Sequence, residues 1–170
     1  DDVEVDTSET LDGSSFDKDQ QVHCTLTPMD DEEAGAPVES LRITILNTAP
    51  QATSASLSAT SPAETDTLSV TVEGAVDDDG DAITYLTSWF VDGSLAAQTE
   101  TINGDLFSKG QSVYVEVTPT DGTDAGTVLT SDTATVVNTL PTLFSVALTP
   151  DPVASDGFLD CLAISNSDAD

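Results

Sequence analysis

Ser112-Val113-Tyr114-Val115-Glu116-Val117-Thr118 alternates valine with polar or aromatic residues. A period of two places the three valines on one face of an extended strand, whereas a helix would scatter them. Thr67-Leu68-Ser69-Val70-Thr71-Val72-Glu73 repeats the pattern. Outward from these two, strand-like runs recur at 52–59, 82–91, 99–102 and 128–137. Asp92-Gly93, Asn103-Gly104 and Asp121-Gly122 supply turn signals between runs. No segment carries a helical period with caps. The spacing predicts an all-β fold, a two-sheet antiparallel sandwich. Leu68, Val70, Val72, Tyr85, Trp89, Val113, Val115 and Val117 are expected to share its core.

The residues leading into the first strand have a counterpart 91 positions earlier. Phe16-Asp17-Lys18-Asp19-Gln20-Gln21-Val22 lies over Phe107-Ser108-Lys109-Gly110-Gln111-Ser112-Val113. The same offset carries Thr27-Pro28 onto Thr118-Pro119, Gly35 onto Gly126, and Asn47-Thr48 onto Asn138-Thr139. It carries Pro50 onto Pro141, Leu57 onto Leu148, Leu68 onto Leu159, and Asp77 and Asp79 onto Asp168 and Asp170. Ungapped matching across the chain reads as tandem repetition with a 91-residue period. Residues 48–138 then form a complete module, 1–47 the C-terminal part of one, and 139–170 the N-terminal part of another. Both ends fall inside a module, so the parent chain is expected to continue in both directions. Any export signal or anchor is expected outside this segment.

Composition bounds the partners. Thirty-two acidic residues stand against Lys18, Arg42 and Lys109, for a formal charge of −29. Such a surface repels phosphate backbones and anionic lipid, which argues against nucleic-acid and membrane-surface binding. No apolar run is long enough to span a bilayer. The acidity reads either as a solubilising surface or as a means of binding divalent cations, and the two are compatible.

Val76-Asp77-Asp78-Asp79-Gly80-Asp81-Ala82-Ile83-Thr84-Tyr85, followed by Trp89-Phe90-Val91-Asp92-Gly93, resembles the tandem Ig-like and PKD-like modules of large bacterial surface proteins. Asn47-Thr48-Ala49-Pro50 and Asn138-Thr139-Leu140-Pro141 resemble the short linkers of such arrays. The resemblance gives the cysteines a meaning. Cys24 maps onto Val115, Cys161 maps onto Val70, and Trp89 lies between these positions. Together they resemble the inter-sheet disulfide and buried Trp of immunoglobulin domains. A bridge between the two positions would contribute on the order of 4 kcal/mol in the chain-entropy model. It implies an oxidising, extracellular or cell-surface location. The complete module carries valine at both positions and must hold by packing. One departure from the immunoglobulin pattern is Val113, which stands where a corner tyrosine is usual.

Nucleophilic catalysis is poorly supplied. His23 is the single histidine and maps onto Tyr114, an outward strand position. Paired carboxylates abound, but nothing predicts a cleft that would separate their environments. Lys18 and Lys109 share a repeat position; a covalent crosslink to an Asn would need a buried lysine, and a polar turn is a poor place for one. The acidic loops say more. Asp77, Asp79 and Asp81 are candidate calcium ligands, with Gly80 letting the loop fold around an ion, and Asp121 and Asp124 are expected at the same pole. That pole should face the incoming linker at 47–50. A solvated turn that discourages edge pairing is the competing reading.

These readings converge on a non-catalytic structural element: a rod of end-to-end sandwiches in an extracellular fibre or surface stalk, its joints stiffened by calcium. The alternatives are an adhesin or carbohydrate-binding module that takes a surface ligand, and an appendage of a secreted enzyme. Partners are expected to be neighbouring copies or modules. Residues 141–165 of one copy could complete residues 1–47 of the next and bring Cys161 to Cys24.

Overall fold

The computed structural model describes residues 3–169. Strands appear in the order β1 (Gln21–Val22), β2 (Thr25–Leu26), β3 (Val38–Glu39), β4 (Ile43–Thr44), β5 (Ser54–Leu57), β6 (Thr67–Glu73) and β7 (Thr84–Val91). There follow β8 (Ser94–Ala97), β9 (Thr101–Asn103), β10 (Ser112–Thr120), β11 (Leu129–Thr130), β12 (Ala134–Thr135), β13 (Thr142–Thr149) and β14 (Asp160–Ser167). One 3-10 turn at Gly13–Ser15 is the only helical element among the described residues. The chain is all-β, and the pairings between named strands are antiparallel.

Between β5 and β12 two sheets share one core, an arrangement consistent with a β-sandwich. The first runs β5-β6-β9; the second runs β11-β10-β7-β8, with β12 also on β10. Alternation puts Val113, Val115 and Val117 of β10 and Trp89 and Val91 of β7 inward. They meet Leu68, Ile102, Phe107 and Val136, with Val70 and Val72 packed against them. Val70 and Val115, the positions matched to the cysteines, thus border the same core. The buried indole is satisfied, because Trp89 Nε1 donates to the Thr99 carbonyl at 2.8 Å. The segment closing this set runs parallel to an early one: Ala63 bridges Val137, and the Val137 N–H donates to the Pro62 carbonyl at 2.8 Å.

Several sequence expectations need correction. Tyr85 is 42% exposed: it has the inward parity of Trp89, but it lies at the start of β7, opposite Pro119 and past the last core valine. The run at 128–137 divides into β11 and β12. Between them Ser131 Oγ takes the Val115 N–H at 3.1 Å and donates to the Asp132 carbonyl, which interrupts the backbone ladder. β8 was not foreseen. It pairs with β7 across Asp92-Gly93, whose φ values of 48° and 76° suit the two-residue turn that matches strand twist.

The flanking segments reproduce the pairings of the central set. Gln21 and Val22 pair with Thr44 and Ile43, as Ser112 and Val113 pair with Thr135 and Ala134. Thr25 and Leu26 pair with Glu39 and Val38, as Glu116 and Val117 pair with Thr130 and Leu129. Val146, Ala147 and Leu148 pair with Ala163, Leu162 and Cys161, as Ala55, Ser56 and Leu57 pair with Val72, Thr71 and Val70. Every partner in these comparisons is displaced by 91 positions. The repeat match of Asp79 to Asp170 lies outside the described residues.

Candidate functional site

The acidic loop between β6 and β7 owes its shape to Asp77. Asp77 Oδ1 accepts the N–H groups of Asp79 at 3.0 Å and Asp81 at 3.1 Å. Gly80, at φ 77°, lets the chain turn back between them. The folded loop brings oxygens of Asp77, Asp79 and Asp81 within 4.8 Å of one another, all half-buried. Asp77 Oδ2 is shielded from solvent and accepts no hydrogen bond.

The β10–β11 connection meets this loop through the linker. Asn47 Nδ2 donates to Asp121 Oδ2 at 2.8 Å and to Asp124 Oδ2 at 2.9 Å. The Thr48 N–H donates to Asp79 Oδ2 at 2.6 Å. Lys18, from the segment before β1, pairs its ammonium with Asp81 Oδ2 and also donates to Asn47 Oδ1 at 3.2 Å. Four of the five candidate ligands, Asp79, Asp81, Asp121 and Asp124, are thus bonded to Lys18 or to the linker residues Asn47 and Thr48, while Asp77 Oδ1 bonds within its own loop. Close packing continues beside them: a Cβ on Gly126 would overlap the Pro50 carbonyl and press on the Pro119 ring.

Electrostatics follow from these bonds. The Asn47 amide, then the N–H groups of Asp124 and Thr123, hold the Asp121 carboxyl down to about 2. The bond to Asp81 keeps the Lys18 ammonium charged beyond the ordinary lysine range, with Asp79 and Asp121 adding to the effect. The Lys18 side chain is 28% exposed, whereas a covalent crosslink to Asn47 would need a buried lysine. The pairing itself recurs, since Lys109 Nζ donates to Asn138 Oδ1 at 2.7 Å.

Cys24 and Cys161 are both exposed and unbonded; they belong to different flanking segments. His23 is half-buried in the stretch joining β1 and β2. Tyr85, Leu86, Thr87, Gln98, Thr99 and Glu100 line a shallow groove beside β7. Two features escaped the sequence reading. Asn47 and Lys18 were read as linker and turn, although their common 91-residue spacing to Asn138 and Lys109 was a usable signal. Phe90 and Tyr114 stack with centroids 4.9 Å apart, directly opposite in the β7–β10 register.

No family model matches the chain, and no match is found among curated proteins. Among the described residues no helix is long and apolar enough to cross a membrane.

Proposed function

We propose that this chain is a structural segment of an extracellular fibre or cell-surface stalk, built from tandem Ig-like sandwiches set end to end. The observation that carries this reading is the linker at 47–50. It is bonded to the pole of the central sandwich by Asn47 and Thr48 and packed at Pro50 against Gly126, which leaves little slack between successive modules. The 91-residue displacement of strand partners supports a repeated unit, and a repeated unit with short joints gains reach by adding copies. Shared negative charge along such a rod opposes collapse. The roles it suits are spacing and load-bearing without catalysis.

Neighbouring modules or copies are the partners in this reading, and a bridge between the two cysteine positions would join the sheets wherever both are cysteines. Small-angle X-ray scattering of the full chain tests the rod: a stiff, elongated particle is expected, and a freely jointed one overturns it. Sedimentation velocity and non-reducing electrophoresis at rising concentration test subunit assembly. A chain that stays monomeric with both thiols reactive removes end-to-end assembly of copies.

Two observations favour other readings. The stacked Phe90–Tyr114 pair is the aromatic feature an adhesin or carbohydrate-binding face would use, although the rings turn their faces to each other. Asp77 Oδ2, shielded and unpartnered beside Asp79 and Asp81, supports calcium at the joint. Millimolar calcium would then raise the melting temperature, and Asn at 77, 79 and 81 would abolish the rise.

A further inference from the structure

Thirty-two acidic side chains and three basic ones make every cation in this chain conspicuous, and two of the three stand 91 residues apart as Lys18 and Lys109. Each donates to the asparagine 29 residues later, at the end of the same repeat unit: Lys18 to Asn47, Lys109 to Asn138. On the opposite side of the first joint the acceptors are already engaged. Asp81 Oδ2 takes the Lys18 ammonium, Asp79 Oδ2 takes the Thr48 N–H, and Asp121 and Asp124 each take Asn47 Nδ2. Every one of these donors comes from Lys18 or the linker, and every acceptor from the pole of the central sandwich.

We infer that the pole bearing Asp79, Asp81, Asp121 and Asp124 is a docking socket for the lysine–asparagine end of the preceding module, and that Lys18 supplies there the positive charge a metal ion would otherwise provide. The inference deepens the rod reading and rests on it for one step, the extension to every joint. Without a cation, the socket would concentrate carboxylates against a segment that is itself acidic, and like charge would splay the joint. Asn47 completes the fit. Its carbonyl oxygen orients the ammonium while its amide nitrogen spans Asp121 and Asp124, so one side chain ties the lysine to the second loop. Lys109 and Asn138 repeat the lysine–asparagine pair 91 residues on, and in the rod reading they take the same role at the next joint. An isolated surface ion pair contributes little, but several charge-assisted bonds converging from one segment set a geometry together.

The test uses the full chain and residual dipolar couplings, which report whether residues 16–46 and 52–137 share one alignment. Wild type is expected to share it at low salt and to lose it in high salt, where screening weakens exposed pairs. Lys18→Met keeps the length of the side chain and is expected to uncouple the segments, while fluorescence from Trp89, the single tryptophan, stays that of the folded central set. Asp81→Lys combined with Lys18→Asp is expected to restore the common alignment. A common alignment that survives in Lys18→Met overturns the inference. So does calcium chloride that shifts the amide resonances of residues 77–81 as strongly in wild type as in Lys18→Met, because the ion and not the lysine would then own the socket. Self-association by sedimentation velocity reports on the fibre reading separately, so either idea can fail while the other stands.

Discussion

Leu26 and Val117 stand 91 residues apart and pair with partners 91 residues apart, yet Leu26 is 73% exposed and Val117 is 0% exposed. Leu159 and Leu68 differ in the same way, at 51% and 0%. The flanking segments keep the register of the central set without its burial. Register is a local property here: short connections and alternation settle which residues face one another. Burial is not local, because an inward face becomes core only when the opposite sheet covers it. Residues 3–47 lack counterparts of β5, β6 and β7. Without a β7, the nine-residue β10 shrinks to the two-residue pieces β1 and β2, with Cys24 stranded between them.

The largest effect that should sharpen this contrast is Trp89→Ala. It removes the biggest fully buried side chain and its bond to Thr99, and should destabilise the central set by about 3–5 kcal/mol in urea unfolding followed by circular dichroism. Leu26→Ala, at a matched inward position with nothing over it, should change stability by less than about 0.5 kcal/mol. Equal losses would mean that the flank is as well covered as the centre.

Ser131→Ala comes next. It strands the buried Val115 N–H and should cost about 1–3 kcal/mol. Ser40 makes the matched bond to the Cys24 N–H at 3.0 Å in the open, where water can replace it; Ser40→Ala should be close to neutral by the same measurement. Gly126→Ala must push the Pro50 carbonyl away, with a loss of about 1–3 kcal/mol expected from overpacking. Gly35→Ala meets only the Pro28 residue and should be milder.

The smallest expected effect is that of acid on the joint. Asp121 titrates lower in the folded chain than the ordinary 3.8, so its contribution is present above that value and is lost as pH falls toward about 2. Heteronuclear NMR should show the Asn47 and Asp121 resonances moving in that window. Asn47→Ala, which removes the first cause of the shift, should move the transition upward. A transition unmoved by Asn47→Ala would mean that the amide does not hold the carboxylate.

The strands with strict alternation were legible because β6 and β10 carry their inward valines and leucine at a period of two. β8 was not. Ser94-Leu95-Ala96-Ala97 has no β-branched residue, and its strand state comes from pairing on β7 through the Asp92-Gly93 turn. Tyr85 was misplaced because parity says which way a side chain points but not where the opposing sheet ends. That the acidic loops are neighbours was legible from the order of strands and turns, and Asp79, Asp121 and Asp124 do meet at residues 47 and 48. Their donors were not, since Lys18 and Asp81 lie 63 residues apart in sequence and only the folded chain brings them together.

The parallel contact between Ala63 and Val137 has a mechanical meaning. If the proposed rod holds, with the chain entering the central set near Thr48 and leaving near Asn138, tension would draw the 60–63 and 135–137 segments lengthwise past each other. The hydrogen bonds from Val137 to Pro62 and from Thr135 to Thr60 lie across that direction. They would be sheared as a group, whereas a hairpin pulled open at its mouth loses its rungs one after another. In the proposed rod, such a unit is expected to hold its length under stretch until these bonds break together.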